Sequence, residues 1–443
     1  MPVPKKGDLS KVENYRGIAL SSVVAKTLNR MIRNRMTPAF EEILRPEQNG
    51  FRPGRSTTSH ILGLRRILEG ARARQLTAVL LFVDFRRAFD SLHRGLLMKI
   101  LSAYGVPDRI VDLIDALYQD TVASVLTEDG PTELFNILAG VLQGDTLAPL
   151  LFIIAVDYIM RQATKDEDFG FTLEPRRSRR HPAKKVSDAD YADDLALLTN
   201  SIEEAQRFLE RLEESAASVG LHINSDKTKY MSTGLDPDHD CLKSVDGQLL
   251  EEVQDFVYLG AWIGDSVKDF EVRKAKAWNA LNKMNKIWKS GMSRRTKIRL
   301  FRATVETILL YGCEAWTVTK SLGKRLDGCY SRMLRAAQNI RRSDKVTNAE
   351  VFRDLPRISE KVRTQRLKLA GHLERHEELL GHQLVGWKPK HGKSRPGRPA
   401  ITFPDTILQD LEGVCATTEE ARRLMLDRNL WRTVVHSRPQ QPP

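Results

Sequence analysis

Two adjacent carboxylates, Asp193 and Asp194, are conspicuous because of the residues on either side of them. They follow Tyr191-Ala192 and precede an apolar run, residues 195–198, so the pattern predicts a β-hairpin with both aspartates at its turn. Neighbouring carboxylates repel each other at neutral pH, and such a pair is usually kept where a divalent cation or another strong cation neutralises it. A solvated Asp-Asp turn is common, so the meaning of this pair depends on what else the chain supplies.

A third carboxylate, Asp84, directly follows a continuous β-prone run, residues 78–83. Such a run predicts a strand that is buried on both faces, with Asp84 at its end. If Asp84 reaches the turn at residues 193–194, the three carboxylates can hold two Mg²⁺ ions about 3.5 to 4 Å apart, the arrangement that joins or cleaves phosphodiesters. Taken alone, Asp84 could instead cap a helix or a turn.

The composition indicates a globular protein that binds a polyanion. Lys and Arg total 70 against 57 Asp and Glu, a formal net charge of +13. Nucleic acid is the first candidate, because neutralising its phosphates releases counterions. No apolar run approaches the ~20 residues of a membrane span, and no apolar segment follows the charged first residues. We therefore expect no membrane partner. The four cysteines lie far apart, so we also expect no structural zinc and no disulfide framework, which indicates an intracellular protein.

The elements around the carboxylates favour an α+β region followed by a helical one. Apolar residues recur at helical spacing after residue 260, which predicts a helical bundle, and a segment rich in Lys, Arg, Pro and Gly precedes one further helix. The elements predicted before residue 260 are a strand at 78–83, a helix at 147–163, a strand at 169–173, a basic loop at 176–185 and a helix at 203–219.

Several short motifs accompany the carboxylates in a fixed order along almost the whole chain. The motifs are Pro4-Lys5-Lys6-Gly7-Asp8, Tyr15-Arg16-Gly17-Ile18, Gly50-Phe51-Arg52, Phe82-Val83-Asp84-Phe85-Arg86-Arg87-Ala88-Phe89-Asp90, Gln143-Gly144, Tyr191-Ala192-Asp193-Asp194, Gly220-Leu221-His222-Ile223-Asn224-Ser225-Asp226-Lys227-Thr228-Lys229 and Tyr258-Leu259-Gly260. With these motifs in this order, the chain resembles the reverse transcriptases, and more closely the polymerases of non-LTR (LINE-type) retrotransposons.

The resemblance implies an α+β, right-hand polymerase. Its lobes would be N-terminally truncated fingers at residues 1–77, a palm with an antiparallel sheet at 78–260, a helical thumb at 261–345 and a basic C-terminal region at 346–443. Because the chain begins inside the first polymerase motif, we expect it to lack the upstream endonuclease of the family, which another protein would then supply.

The resemblance also implies the chemistry of the carboxylates. Asp84, Asp193 and Asp194 would hold two Mg²⁺ ions, with Mn²⁺ as a substitute; one would lower the pKa of the primer 3′-hydroxyl and the other would offset charge on the leaving pyrophosphate. Lys227 would donate a proton to pyrophosphate. Lys229 competes for that role, and capping of a helix end is an equally simple function for both lysines.

Other motif residues would bind the nucleotide. Phe89 matches the aromatic residue that closes against the sugar 2′ position and selects deoxynucleotides, and Phe85 belongs to the same motif. Arg52 and Arg55 would hold the template or the incoming triphosphate through forked guanidinium donors. Without the resemblance, the phenylalanines would be assigned to core packing and the arginines to a solvated loop.

Gln143 and Gly144 match the loop that touches the nascent base pair, where the missing side chain of Gly144 would let the template approach. A turn that enters a helix is the simpler interpretation, and both can hold. The loop departs from the common family pattern, because Leu142 stands where a basic residue is frequent and Asp145-Thr146 replaces Cys-Pro.

The expected activity is therefore addition of deoxynucleoside triphosphates to a DNA primer on an RNA template. A two-metal nuclease would explain the carboxylates but not Phe89, the Gln-Gly loop or the thumb. A catalytically inactive, nucleic-acid-binding remnant of such an element would explain the charge and the truncation, but it gives no reason for an intact set of carboxylates.

Overall fold

The structure, a computed structural model, describes residues 1–5, 7–236, 238–397, 399–412 and 414–436. Lys6 of the first motif and residues 437–443 of the predicted tail lie outside the described residues. The chain forms two compact units, Met1–Ser56 with Thr77–Gln254 and Thr57–Leu76 with Asp255–Pro443. These units do not coincide with the predicted lobes, because residues 57–76, which we expected in the fingers, pack in the second unit.

The strands are short except in the main sheet. They are β1 (Pro2–Pro4), β2 (Tyr15–Gly17), β3 (Ala78–Val83), β4 (Val122–Ala123), β5 (Leu126–Thr127), β6 (Gly130–Pro131), β7 (Phe135–Asn136), β8 (Phe171–Glu174), β9 (Lys184–Val186), β10 (Asp188–Tyr191), β11 (Asp194–Thr199), β12 (Lys229–Thr233), β13 (Glu251–Glu252), β14 (Phe256–Tyr258) and β15 (Ala261–Ile263).

The helices dominate the rest of the described chain. They are α1 (Val23–Ile43), α2 (Thr57–Arg74), α3 (Ala88–Ser91), α4 (Arg94–Ala103), α5 (Asp108–Tyr118), α6 (Ala148–Ala163), α7 (Ile202–Ser218), α8 (Ser266–Lys283), α9 (Asn285–Trp288), α10 (Arg294–Phe301), α11 (Thr307–Leu310), α12 (Lys320–Ala337), α13 (Asn348–Phe352), α14 (Ile358–Glu374), α15 (Leu380–Val385), α16 (Phe403–Leu411), α17 (Thr418–Leu426) and α18 (Arg428–His436).

A five-stranded sheet in the order β10-β11-β3-β12-β13 forms the centre of the first unit. β12 and β13 pair in parallel, and the other neighbours pair antiparallel. All residues of β3 are buried, which confirms the strand predicted from the apolar run at 78–83. A central strand covered on both faces needs apolar side chains in both directions, and this explains why the run does not alternate with polar residues.

Most residues of helix α6 are apolar and are buried in the core of this unit. The hydroxyl of Thr146, directly before the N-cap residue Leu147, donates to the Lys26 carbonyl at 3.4 Å. The buried Asp145 carboxylate accepts from the Leu147 amide at 3.2 Å and from the Asn29 side chain at 2.8 Å. The start of the helix is therefore tied to α1 by a long-range contact.

The second unit has a separate helical core built on α8, α10, α12 and α14. The fully buried carboxylate of Asp269 accepts hydrogen bonds from Arg65 and from the Trp316 indole, both at 2.8 Å. Beyond residue 400 the chain forms three helices, α16 to α18, where we predicted one. The difference arises because Thr402 and Thr417 each begin a new short helix. None of the helices in the described ranges is long and apolar enough to cross a membrane.

Candidate active site

The three predicted carboxylates meet at one end of the main sheet. β10 pairs with β11 so that Tyr191 lies opposite Asp194, which leaves Ala192 and Asp193 as the hairpin turn. β11 in turn pairs with β3, and Leu195 lies opposite Val83. Continuing that register by one residue brings Asp194 beside Asp84. The sheet therefore gathers residues that are far apart in the sequence.

Burial and neighbouring carboxylates raise the pKa values of Asp193 and Asp194. Burial, followed by the charges of Asp193 and Asp84, raises the pKa of Asp194 to about 6, although Asp194 is exposed on its outer side. Burial is also the largest cause of the raised pKa of Asp193; the charge of Asp84 adds to it, and Arg16 partly opposes it. The protein thus holds negative charge at this end of the sheet without fully compensating for it.

Asp84 is fixed by its backbone and has one carboxylate oxygen without a hydrogen bond. Its backbone is fixed on both sides, because its amide donates to the Thr228 hydroxyl at 3.2 Å and its carbonyl accepts from the Asn224 amide at 2.7 Å. Its Oδ2 atom is buried and accepts no hydrogen bond from the described residues. The nearest cation, the Nζ atom of Lys227, lies 3.4 Å from Oδ2, within ion-pair distance.

These residues fit a divalent metal ion. Carboxylate oxygens are hard donors that suit Mg²⁺, which retains water and takes substrate phosphates as further ligands. Within the described residues, no three His, Cys, Asp or Glu side chains are already close enough together to hold one ion. Water and nucleotide phosphates would therefore have to complete a metal site formed by Asp84, Asp193 and Asp194.

The two candidate lysines have different environments. Lys227 reaches Asp84 while its side chain remains 67% exposed. Lys229 lies in β12, and its Nζ atom pairs with Glu251 at 2.5 Å. Only Lys227 is thus in direct contact with one of the carboxylates.

The two phenylalanines of the Asp84 motif also differ. Phe85 is buried in the core, where its backbone forms a bridge to Ile223, so its side chain packs inside the protein. Phe89 is half-buried and stacks on Phe152 at a centroid distance of 4.3 Å, and the exposed Phe51 meets its edge at 6.3 Å. Phe89 therefore has both a core contact and a partly accessible side, whereas Phe85 has the environment of a core residue and is left out of the nucleotide-binding set that we propose.

The Gln143-Gly144 loop packs against the segment that follows β2. The Gln143 carbonyl accepts from the Ala19 amide at 2.7 Å. Gly144 has a φ of 105°, and a Cβ atom there would lie 2.7 Å from the Ala19 carbonyl oxygen. Backbone conformation and a protein contact thus already require glycine here, whether or not a template approaches.

The two arginines after Gly50 have different surroundings. The guanidinium of Arg52 is buried and donates to the Glu41 carboxylate and to the carbonyls of Arg45 and Gln48. Because these protein acceptors occupy its donors, we do not include Arg52 among the nucleotide-binding residues that we propose. Arg55 is half-buried and lies 3.2 Å from the Pro46 carbonyl, closer to the surface.

A buried ionic cluster beneath the hairpin was missed from the sequence. Arg45 contacts Asp188 at 2.6 Å and Asp190 at 3.3 Å, and both carboxylates are almost fully buried. Burial, then the charge of Asp188, raises the pKa of Asp190 well above its ordinary value. The alternation Asp-Ala-Asp-Tyr in β10 places both aspartates on one face, a signal for a cationic partner, but the sequence does not say which cation it is.

The match to a known family covers more than half of the chain: residues 3–263 match the family described as reverse transcriptase (RNA-dependent DNA polymerase). The chain belongs to the reverse transcriptase family. This confirms the resemblance drawn from the motifs and, with the mixed α/β unit and the helical C-terminal region, the predicted right-hand polymerase fold.

Curated relatives of this reverse transcriptase family member derive from transposable elements. An uncharacterized transposon-derived protein of Caenorhabditis elegans is 25% identical over 57% of this chain and 96% of its own length. The probable RNA-directed DNA polymerase from transposon BS of Drosophila melanogaster is 26% identical over 87% of this chain and 43% of its own length. The retrovirus-related Pol polyprotein from type-1 retrotransposable element R2 of Popillia japonica is 26% identical over 72% and 44%. This chain thus spans under half the length of the transposon BS protein and of the Popillia japonica protein.

Solved structures of telomerase show a weaker likeness. Telomerase from Candida albicans, in complex with a fragment of telomeric RNA, is 12% identical, covers 78% of this chain and 54% of its own, and has a TM-score of 0.37. Apo telomerase from Candida tropicalis is 12% identical, with 79% and 59% coverage and a TM-score of 0.38. Scores this low carry no argument, and the fold assignment rests on the family match.

Replacing Asp84 by Asn should lower the pKa of Asp194 from about 6 toward the ordinary aspartate value. The charge of Asp84 opposes ionisation of Asp194, so neutralising it favours the ionised form at lower pH. The measurement is a carboxyl-carbon NMR titration of ¹³C-aspartate-labelled protein. The exposed Asp112 of α5 supplies the control Asp112→Asn, which should leave Asp194 unchanged; equal titration in all three proteins would contradict the proximity of Asp84 and Asp194.

Proposed function

We propose that this chain is an RNA-directed DNA polymerase that adds deoxynucleotides to the 3′ end of a DNA primer. The observation that carries the proposal is the meeting of Asp84, Asp193 and Asp194 at the end of β3 and the β10–β11 turn. The raised pKa values of Asp193 and Asp194, and the Oδ2 of Asp84, which accepts no hydrogen bond from the described residues, support a site whose negative charge is only partly compensated. Family membership supplies the reaction class in which such a site would act.

In this proposal the three carboxylates hold Mg²⁺, with Mn²⁺ as a substitute. Mg²⁺ bound there would neutralise charge on the primer 3′-oxygen and on the leaving pyrophosphate. The protein contributes rigid placement, because Asp84 is fixed by Thr228 and Asn224, and Asp193 by the hairpin register. Fixed ligands need little rearrangement when the reaction begins.

Lys227 is the proposed proton donor to the leaving pyrophosphate. Its Nζ atom lies beside Asp84 and remains largely exposed, so it can turn toward a substrate phosphate. A positive ammonium group next to a leaving phosphate both attracts it and can transfer a proton to its oxygen. Lys229 is less suited, because Glu251 already holds its ammonium group.

Phe89, Gln143, Gly144 and Arg55 complete the proposed nucleotide site. The half-exposed side of Phe89 would contact the sugar, where an aromatic ring leaves no room for a 2′-hydroxyl. Gly144 is exposed and Gln143 half-buried, so both can be reached by a base pair. Arg55 would contact a phosphate through its guanidinium.

The basic composition supports a nucleic-acid partner. The net charge is +13, and the loop between β8 and β9 carries many basic residues. Arg177 and Lys184 in this region are 59% and 72% exposed and reach Glu174 only at 3.9 and 3.6 Å, so these pairs cancel little of their charge. Template RNA and primer DNA are the proposed polyanions.

A second candidate, an inactive nucleic-acid-binding remnant, rests on the basic charge of the chain. It predicts binding without synthesis. The two-metal nuclease accounts for the carboxylates alone and leaves the exposed side of Phe89 without a role.

Asp193→Asn should abolish most primer extension on an RNA template in the presence of Mg²⁺. We expect the rate to fall by about 10²-fold or more, because the substitution removes a charge that acts on the transition state. Extension of a labelled DNA primer on an RNA template measures it, with Asp112→Asn as a control for a neutral surface change. No incorporation by either protein while RNA binding persists would favour the remnant, and equal incorporation by both would contradict the role of Asp193.

Phe89→Ala should increase incorporation of ribonucleotides relative to deoxynucleotides, because removing the ring opens space at the sugar 2′ position. Single-nucleotide extension with matched ribo- and deoxynucleotide pairs gives the ratio. Phe135→Ala in β7 is the matched control, because Phe135 is 47% exposed and lies outside the proposed site. Unchanged sugar discrimination in Phe89→Ala would reject the role and leave stacking on Phe152 as its function.

Lys227→Ala should lower kcat by about 10² to 10⁴-fold, the range for loss of a general acid. Lys229→Ala should change kcat by less than about twofold, since that side chain makes an exposed ion pair. Lys227→Arg separates charge from proton transfer, because a guanidinium keeps its proton at neutral pH. Full activity in Lys227→Arg would show that charge alone is needed, and equal loss in the two alanine variants would contradict the assignment.

A further inference from the structure

The 45–50 loop, which joins α1 to the Gly50-Phe51-Arg52 motif, runs beside the hairpin that carries Asp193. Gln48 forms a parallel bridge to Asp190 of β10. The Asn49 amide donates to the Asp190 carbonyl at 2.8 Å, and the Asp190 amide donates to the Glu47 carbonyl at 3.1 Å. The loop therefore pairs with the last residues of β10, close to the turn at Ala192 and Asp193.

The side chain of Gln48 binds the turn itself. Its Oε1 atom accepts from the Ala192 amide at 2.8 Å and from the Gly50 amide at 2.7 Å. Its Nε2 group donates to the Ala192 carbonyl at 3.5 Å. Gln48 is only 1% exposed, so water cannot replace these bonds. One buried amide thus holds both backbone groups of the residue that precedes Asp193.

Gly50 sets how closely the loop approaches the turn. A Cβ atom at residue 50 would lie 2.3 Å from the Ala192 nitrogen and 2.9 Å from its Cα atom. The φ of Gly50 lies outside the left-handed region, so conformation does not demand glycine there. Glycine is required because the backbone of the turn occupies the space that a side chain would need.

Ala192 depends on such support. Its φ is 59°, a left-handed conformation that is unfavourable for alanine, and such conformations persist where the surroundings fix them. The loop is itself anchored, since the buried guanidinium of Arg52 donates to the Gln48 carbonyl at 3.0 Å and Arg45 pairs with Asp188. Buried contacts of Arg45 and Arg52 therefore fix the loop, and the loop in turn fixes the turn at Ala192.

We propose that Gln48 and Gly50 are positioning residues, which hold the turn at Ala192 in the position that keeps Asp193 close to Asp84. Neither residue would touch the metal or the substrate. The inference rests on the proposed function, because it concerns how the same carboxylates are arranged for catalysis.

Two variants test it from opposite directions. Gln48→Met removes the hydrogen bonds at similar volume, and Gly50→Ala adds one methyl group against the turn. Both should lower kcat for primer extension by 10-fold or more, while the Kd for primer–template stays within twofold of the native value. Matched controls are Gln162→Met, at an exposed residue of α6, and Gly328→Ala, in α12 with no atom within 4 Å of its added Cβ; both should keep native kcat.

A second readout does not need polymerase activity. Mn²⁺ is added alone, and its bound fraction is followed by electron paramagnetic resonance. Asp193→Asn should abolish most binding, and Gln48→Met should weaken it about 10-fold, although Gln48 would not be a ligand. Thermal melting followed by circular dichroism checks the fold; if Gly50→Ala lacks a cooperative transition, Gln48→Met carries the test.

The outcomes separate this inference from the proposed function. A native chain that extends no primer but binds Mn²⁺ through Asp193 would overturn the polymerase, while weaker Mn²⁺ binding by Gln48→Met would still support the positioning role. Native kcat and native Mn²⁺ affinity in folded Gln48→Met would overturn the positioning role and leave the polymerase intact. A loss of primer–template affinity parallel to the loss of kcat would also overturn it, because the loop would then act on nucleic acid directly.

Discussion

Electrostatic repulsion among the carboxylates at the end of the main sheet is the constraint on which the rest of the site depends. Asp84 and Asp194 are brought together by strand register, and burial makes their mutual repulsion stronger than it would be in water. Without other contacts, this repulsion would push the two strands apart. They are held by the backbone bonds of β3 and β11, which are deep in the core and do not depend on the ionisation of the carboxylates.

The hairpin carries two pairs of aspartates, and their different surroundings fit a structural role for one pair and the proposed catalytic role for the other. Asp188 and Asp190 are buried and share Arg45, so the protein supplies their counter-charge. Burial alone would lower the pKa of Arg45, but the two aspartates raise it above its ordinary value, as expected for a stable ionic cluster. Burial and the neighbouring aspartates raise the pKa values of Asp193 and Asp194, and a divalent cation bound there would offset this negative charge.

Local sequence patterns were sufficient to predict the strand and the hairpin that carry the carboxylates, but not the environments of nearby side chains. The strand ending before Asp84 and the hairpin at Asp193 were predictable, because a doubly buried strand and a two-residue turn leave clear marks in hydrophobicity. The environments of Arg52 and Phe85 were not, since an arginine in a glycine-rich loop and an aromatic after a strand look the same whether they face solvent or the core. Motif membership supplied their expected roles, and burial changed the assignment.

The contacts that hold the turn argue against the inactive remnant on physical grounds. A protein that only binds nucleic acid needs positive charge on its surface, and that property tolerates many substitutions because it is spread over many residues. The turn instead depends on single atoms: one buried amide at Gln48, one absent methyl group at Gly50 and one guanidinium at Arg52. Each supports an alanine in a left-handed conformation next to a carboxylate whose ionisation is opposed by burial and by Asp84, and both features are unfavourable for stability. Binding alone makes no use of that arrangement, whereas the proposed phosphoryl transfer does.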